Sequence, residues 1–594
     1  MNWIITAGVI IAAAIITLGV LFWKNQKIKA LLDSTGPLSL AKISFKLATL
    51  LCFVFILQEG FLTQLDTLSR SENPTRNISV FLLIWCLTLA STILVSFIHI
   101  ALIRVFWGGF FAISILAYLT FLQIMGYPPS LGDAKILWIE TGQAMAAFMF
   151  YWSELILPLI FSLLFFVAFV LPVRPIKPIK KYWILLPVTT LPLLPLMMIA
   201  GMLAIKGGGA GVGIPGGMFA LSSYAASIMY ETSKQPNIKR EAVPYPPPQE
   251  SMIKNIILVV DESISSDFIS LSPGATITPI LANNRDIIAD FGQATSGHNC
   301  SSFSNAILRW GINPRSLLSA EKLPTIWQYA KAAGFKTTYI DAQKHPGTYG
   351  NLMDLRETEA IDNIIQFNSP QIERDINYIS NDFEAIKTVI RLTSETIPNF
   401  IYINKLGVHF PYEGKYPENF SEHKPHMSLF EPLGNSTREQ LINSYKNAIS
   451  WNIDGFFKPL INSGQLQNTV VIYTSDHGQN LLDQGTATHC NRSNSSPYQA
   501  LVPLLIMTRD KILLDTFKKA SITNKNAVSH FNIFPTILTL MGYPAGLVEK
   551  DYTKTLFSPI QRLGKFSTGN LLAPNINKRN FGWEDIPNEL ESRM

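Results

Sequence analysis

The chain has 594 residues, 48% hydrophobic and 15% charged, with a mean hydropathy of +0.22. That is too apolar for an ordinary water-soluble protein and calls for a membrane portion. The formal net charge of +6 is small for this length, and no basic block or arginine-plus-aromatic stripe marks a nucleic-acid binder.

The apolar residues concentrate before about residue 206. Six runs there are long enough to span a bilayer as helices: 3–23, 43–63, 79–101, 105–125, 150–172 and 183–205. The first lacks a basic n-region and a small-residue cleavage site, so it reads as a retained helix rather than a signal peptide. Basic residues gather in alternate connections: Lys24, Lys27 and Lys29, then Arg104, then Arg174, Lys177, Lys180 and Lys181. Counting those connections as cytoplasmic puts the start of the chain and everything after residue 206 on the outer side of the membrane. Residues 1–206 are therefore expected to be a transmembrane helical domain of about six helices.

Residues 207–252 read as a linker. A glycine-rich breaker comes first, then MFALSSYAASIMYETSKQ, expected to lie at the membrane surface as an amphipathic helix. The proline-rich VPYPPPQE follows as an extended spacer. From 253 to 594 the composition is globular. NIILVVDES, KTTYIDA, NFIYINKLG and NTVVIYTSDHG read as strands ending in polar residues, and EQLINSYKNAISWNIDGFFKPLI as an amphipathic helix. Continuous apolar strands between helices predict an α/β domain with a mostly parallel sheet covered on both faces. In such sheets ligands bind beyond the C-terminal strand ends.

Those strand ends carry Asp261 and Glu262, Asp476 and His477, and His409; His489 follows twelve residues after His477. Carboxylates and imidazoles brought to one sheet edge fit a zinc or manganese site. A single Asp-His pair after a strand is commonly a turn and helix cap, but three such sets at one edge point to chemistry. Thr295–Asn305 (TSGHNCSSFSN) reads locally as a polar, turn-forming loop.

These residues resemble the alkaline phosphatase superfamily in its sulfatase-like branch, and within it the membrane phosphoethanolamine transferases and lipoteichoic acid synthase. Asp261-Glu262-Ser263 stands where that family has its first metal-binding Glu. Ser475-Asp476-His477-Gly478 matches its Ser-Asp-His-Gly motif without a gap. His409-Phe410-Pro411 matches its His-x-Pro segment, and His489 its later histidine. VSHFNIFPTILTLMGY resembles a late structural segment of sulfatases, with Asn532 in place of an Asp.

The family nucleophile lies roughly forty residues after the first Glu, with a Ser three positions beyond. Ser301 fits: it is 39 residues after Glu262 and has Ser304 at that offset, whereas Cys300 has Phe303. The sulfatase maturation pattern fails at its Pro and Arg, which argues against Cys300 as a modified nucleophile. His298 is read as a solvated loop histidine.

By this resemblance, Glu262, Asp476, His477 and Ser301 would ligate zinc (one ion, or two, with Mn²⁺ as the alternative). His409 and His489 would bind a phosphoryl oxygen, protonate a leaving alkoxide or hold a second metal. Glu140 and Thr141 are candidates for the lipid head group, although Met145 stands where the family has an acidic residue. The resemblance implies transfer of phosphoethanolamine from phosphatidylethanolamine to a surface glycolipid or glycan, such as lipopolysaccharide, through a phospho-serine. The rivals are a phosphoglycerol transferase using phosphatidylglycerol, a sulfatase-like phosphodiesterase, and a channel or transporter with polar spans. Cys52 and Cys86 fall in spans. Cys300 and Cys490 fall outside the membrane beside Ser301 and His489, and in that oxidising setting a Cys300–Cys490 disulfide is expected.

Overall fold

The computed structural model describes residues 37–56, 61–125, 128–129, 131–139, 148, 151–173, 182–206, 215–233, 240–314, 322–344, 346–353, 355–367, 376–428, 431, 433–483, 487–490, 495–569, 582–588, 590 and 593. The chain divides into two compact units, 1–236 with 577–579, and 237–576 with 580–594.

The first unit is helical. Among the described residues three stretches are long and apolar enough to cross a membrane: Pro74–Ser96, Ala101–Met125 and Leu185–Leu203. The 3–23 span lies outside the described residues. In place of 43–63 there are helices Pro37–Ile56 and Phe61–Ser69, and in place of 150–172 a 15-residue helix, Ile156–Val170. The 183–205 run is two helices, Tyr182–Thr190 and Leu193–Lys206. They part at Pro192, which has no N–H to continue the ladder.

Two parts of the expected linker are packed. Helix Gly216–Ser233 buries Met218 and Phe219 in the aromatic core of the helical unit, and Tyr224 donates to the Pro129 carbonyl at 2.7 Å. It is a bundle helix rather than a surface one, because its apolar residues find partners there. Residues 240–252 lie along the second unit: Glu241 N donates to Lys322 O, Met252 N to Leu540 O, and Tyr245 joins the core.

The second unit is built on a seven-stranded sheet. Its strands are β1 (Asn255–Asp261), β2 (Ile288–Thr295), β3 (Lys336–Asp341), β4 (Asn363–Gln366), β5 (Asn399–Asn404), β6 (Thr469–Ser475) and β9 (Leu501–Met507), in the order β2-β9-β6-β1-β5-β3-β4. Only β9 runs antiparallel to its neighbours. Two short hairpins complete it, β7 (Asn480–Leu481) with β8 (Ala487–Thr488), and β10 (Lys565–Thr568) with β11 (Gly582–Asp585).

Side-chain alternation along β1 explains the layers. Ile256, Leu258 and Val260 join one core with Trp327, Phe517 and Phe534. Ile257 and Val259 join the other with Ile386, Tyr445 and Phe456. Each buried aliphatic side chain stabilises by roughly 1.5–3 kcal/mol. The central strand is thus gripped from both faces, and its C-terminal end is held at a fixed depth.

Candidate active site

Four adjacent parallel strands, β6, β1, β5 and β3, end at one edge of the sheet. Each delivers a polar group there: Asp476 and His477 after β6, Glu262 after β1, His409 after β5 and Gln343 after β3. Neighbouring strands lie about 4.8 Å apart, so residues remote in sequence become neighbours without long loops.

The centre is tight and buried. His477 Nε2 lies 3.2 Å from Glu262 Oε1 and 3.4 Å from Asp476 Oδ2. Ligand atoms of Glu262, His477 and His489 all fall within 4.8 Å of one another. The His477 and His489 rings face each other at 3.8 Å between centroids, and His409 lies 6.1 Å from His489.

Each imidazole is set by its other nitrogen. His477 Nδ1 donates to Gly478 O at 2.7 Å, His409 Nδ1 to Phe410 O at 2.8 Å, and His489 Nδ1 to Gln479 Oε1 at 3.2 Å. A carbonyl only accepts, so Nδ1 carries the proton and Nε2 of each neutral ring keeps its lone pair.

The carboxylates are oriented too. Asp476 Oδ1 accepts from His477 N at 2.7 Å and Ser263 N at 3.1 Å, while its buried Oδ2 has no hydrogen-bond partner. Glu262 accepts from Ser263 Oγ at 2.8 Å and Gln343 Nε2 at 3.0 Å.

Two close approaches require glycine. A Cβ on Gly478 would come within 2.2 Å of Tyr498 O. One on Gly407, whose φ is +56°, would meet Asp261 Oδ1 at 2.3 Å.

Charge in this cluster is unbalanced. Burial and the Glu262 charge push Asp476 up to about 8. Burial works against a charged His477, yet Asp476 and Glu262 carry it up to about 9. Burial likewise opposes ionised Glu262, but His477, with His409 and His489, holds it well below the carboxylate range. Burial and neighbouring His477 keep His489 neutral. Two buried carboxylates around one imidazole therefore demand positive charge. That demand, the unpartnered Asp476 oxygen and the inward Nε2 lone pairs fit a divalent cation of the zinc type.

Ser301 opens the helix Ser301–Trp310, with Cys300 at its N-cap. Its Oγ lies 3.0 Å from His477 Nε2 and 3.4 Å from Glu262 Oε1. Ser304, one turn on, ties this helix to the centre: its hydroxyl donates to Asp476 O and meets His530 Nδ1 at 3.0 Å. Burial holds His530 down to about 3, so it is a neutral structural ring.

The preceding stretch is buried rather than a surface loop. His298 is fully buried: Nδ1 accepts from Cys300 N at 2.9 Å and Nε2 donates to Gly569 O at 2.9 Å. It is an internal brace, because each of its nitrogens finds a backbone partner. Cys300 and Cys490 are bonded, with Cα atoms 4.6 Å apart, and Cys52 and Cys86 are free. Asn532 accepts from Ser529 N at 2.8 Å and donates to Lys554 O at 2.8 Å, a turn-bracing role.

Glu262, Ser301, Asp476, His477 and His489 thus gather, with His409 beside them. Glu140 and Thr141 lie outside the described residues. Ser263, Gln343 and Gln479 contact this cluster, and the sequence motifs assign them no role. Gln343 is within reach of the strand-end rule, since KTTYIDA reads as a strand and β3 ends two residues before it. Beneath the centre, Lys405 pairs with Asp261 at 2.6 Å, both fully buried, and contacts Asn452. Asp382 accepts from Leu406 N and Gly407 N, fixing the turn that leads to His409.

A sulfatase-family model matches residues 254–543. The Kdo(2)-lipid A phosphoethanolamine 7''-transferase of Escherichia coli (strain K12) is 23% identical over 352 residues, covering 56% of this chain and 60% of the relative. Phosphoethanolamine transferase EptC of the same organism is 26% identical over 194 residues, covering 32% and 33%. The chain thus aligns with less than two thirds of the length of these curated relatives. A solved integral membrane protein, lipooligosaccharide phosphoethanolamine transferase A (EptA) from Neisseria meningitidis, shares the fold. Its TM-score is 0.54 at 16% identity, over 84% of this chain and 95% of that one. The match, the sheet order and the strand-end centre agree: residues 254–543 match the sulfatase model, and the chain shares the fold of that solved membrane protein and has helical stretches long and apolar enough to cross a membrane.

Proposed function

We propose that this protein transfers phosphoethanolamine from phosphatidylethanolamine to a surface glycolipid or glycan, by way of a phospho-serine at Ser301. The observation that carries the reading is the Ser301 hydroxyl, set against His477 and Glu262 in a buried, cation-demanding cluster. Relatives named as phosphoethanolamine transferases support it, one of them named for Kdo(2)-lipid A.

In the first step Ser301 Oγ attacks phosphorus and the bond to the diacylglycerol oxygen breaks. The serine proton ends on that oxygen. In the second step an acceptor hydroxyl or phosphate oxygen attacks the same phosphorus, and Ser301 recovers its hydroxyl. Glu262, Asp476, His477 and Ser301 would hold zinc, with His489 next to them. A bound Zn²⁺ would lower the hydroxyl pKa and offset charge on the phosphoryl oxygens.

The chain's own groups do the rest. The Nδ1 bonds of His409 and His489 leave their Nε2 lone pairs to take up the serine proton; the ring so charged then meets a phosphoryl oxygen or hands that proton to the leaving oxygen. Gln343 and Ser263 keep Glu262 aimed. The membrane helices suit a lipid donor, with the sulfatase-family domain on the outer side of the cytoplasmic membrane.

Incubating the purified full chain with phosphatidylethanolamine or phosphatidylglycerol and following diacylglycerol tests this. Release from phosphatidylethanolamine supports the proposal. Release from phosphatidylglycerol alone makes the protein a phosphoglycerol transferase. Release from neither refutes a lipid donor of this kind.

A further inference from the structure

Arg593 lies far in sequence from every residue of the centre, yet its side chain is only 3% exposed. It reaches two loops at once. Its Nε and Nη2 donate to Asp267 Oδ2 and Oδ1 at 2.7 and 2.8 Å, a two-pronged carboxylate pair. Its Nη1 donates to the Gln479 carbonyl at 2.6 Å and to Asp483 Oδ2 at 3.2 Å. The guanidinium is covered by Tyr498 at 4.1 Å and Phe268 at 5.4 Å from the ring centroids.

Both loops carry the centre. Asp267 belongs to the turn that begins with Glu262 at the end of β1. Gln479 directly follows His477 and Gly478, and its side-chain oxygen orients His489. Gln479 N also donates to Ser265 Oγ at 2.8 Å, so the two loops already touch where Arg593 pins them. Asp483 closes the β7–β8 hairpin: its Oδ2 accepts from Leu481 N at 3.0 Å, and its Oδ1 accepts from Arg438 at 2.7 Å. The hairpin leads directly to His489.

We infer that Arg593 is a positioning residue that locks the Glu262 loop to the His477–His489 loop. It touches no reacting atom and acts through Gln479 and Asp267. A lysine cannot replace it, because one ammonium cannot present the planar fork to Asp267 while donating to Gln479 and Asp483. The consequence for metal affinity rests on the zinc reading above.

The test uses the full chain in detergent with Arg593→Ala and Arg593→Lys. Amide hydrogen exchange is read first, on metal-free protein. In Arg593→Ala, exchange over 479–483 and 487–490 should rise about tenfold or more, while β6 (469–475) stays protected. Zinc affinity, read by competition with a chromophoric chelator, should fall about 10–100-fold, as for loss of a group that supports metal ligands. Free guanidinium should restore part of both. Arg593→Lys should fall between wild type and alanine.

Wild-type exchange and zinc affinity in Arg593→Ala would overturn the inference. If the alanine variant does not fold, Arg593→Lys decides: behaviour identical to wild type overturns the fork argument. Loss of protection spread equally through β6, without guanidinium rescue, would make Arg593 a general structural residue and also overturn it. Failure of wild-type protein to bind zinc or release diacylglycerol would refute the functional reading instead, because the exchange measurement needs neither.

Discussion

The two units handle buried polarity in opposite ways. In the helical unit, buried hydroxyls go to backbone carbonyls, several of them in their own helix: Thr88 donates to Ile84 O, Thr92 to Thr88 O and Ser223 to Phe219 O. One of its buried basic residues, Lys46, donates to the Phe169 and Leu171 carbonyls at 2.7 and 3.0 Å, at the C-terminal end of a helix where carbonyls lack intrahelical partners. In the sheet unit, Lys405 faces the carboxylate of Asp261, and Glu262, Asp476, His477 and His489 turn toward one another. The first pattern hides polarity from an apolar surrounding; the second concentrates it where strands end. The proposed chemistry belongs to the second unit. Polar groups consumed by backbone carbonyls also count against a polar conduction pathway among the described helices.

The largest break in this contrast comes from Ser301→Ala. It should lower diacylglycerol release by about 10³-fold or more. The fold should survive, since the Ser301 side chain meets only centre residues. Next is Lys405→Met, which removes the cation that offsets burial of the Asp261 carboxylate, so that Asp261 must stay buried without its ion-pair partner or take up a proton. The sheet unit should lose about 3–5 kcal/mol in denaturant unfolding. The matched change in the helical unit, Lys46→Met, should cost less, about 1–2 kcal/mol, because only hydrogen bonds to neutral carbonyls are lost. Equal losses from the two lysine variants would dissolve the contrast.

The smallest effect is a pH dependence away from the site. Burial opposes ionised Glu549, but bonds from Lys554 and Thr555 hold it down to about 2, against 4.5 for a free glutamate. A depressed folded-state pKa contributes stability above the unfolded value, which is lost as pH falls. Glu549→Gln should therefore melt below wild type at pH 7, with the gap closing from pH 4.5 toward 2.

Much of the sheet unit was legible in the chain itself. Its strands are short β-branched runs closed by polar residues, and parallel pairing forces their ends to one edge, so Glu262, His409, Asp476 and His477 could be collected by rule. Ser301 depended on an offset from Glu262. Most supporting contacts were not legible: Gln343 stands at a strand end and follows the same rule, but Gln479 and Arg593 meet the centre through tertiary packing, with no local pattern to announce it. His298 looked like a solvated loop residue because composition does not reveal that Gly569 and Cys300 would take both ring nitrogens. In the helical unit hydropathy located apolar runs, 183–205 among them, but not the break inside that run at Pro192.

The central claim is that Ser301 carries the phosphoryl group between donor and acceptor. Mass spectrometry of the intact chain after exposure to phosphatidylethanolamine, followed by peptide mapping, tests it most directly. A phosphoethanolamine adduct on Ser301, absent from Ser301→Ala, is the predicted result. An adduct on another residue, or undiminished diacylglycerol release by Ser301→Ala, would contradict it.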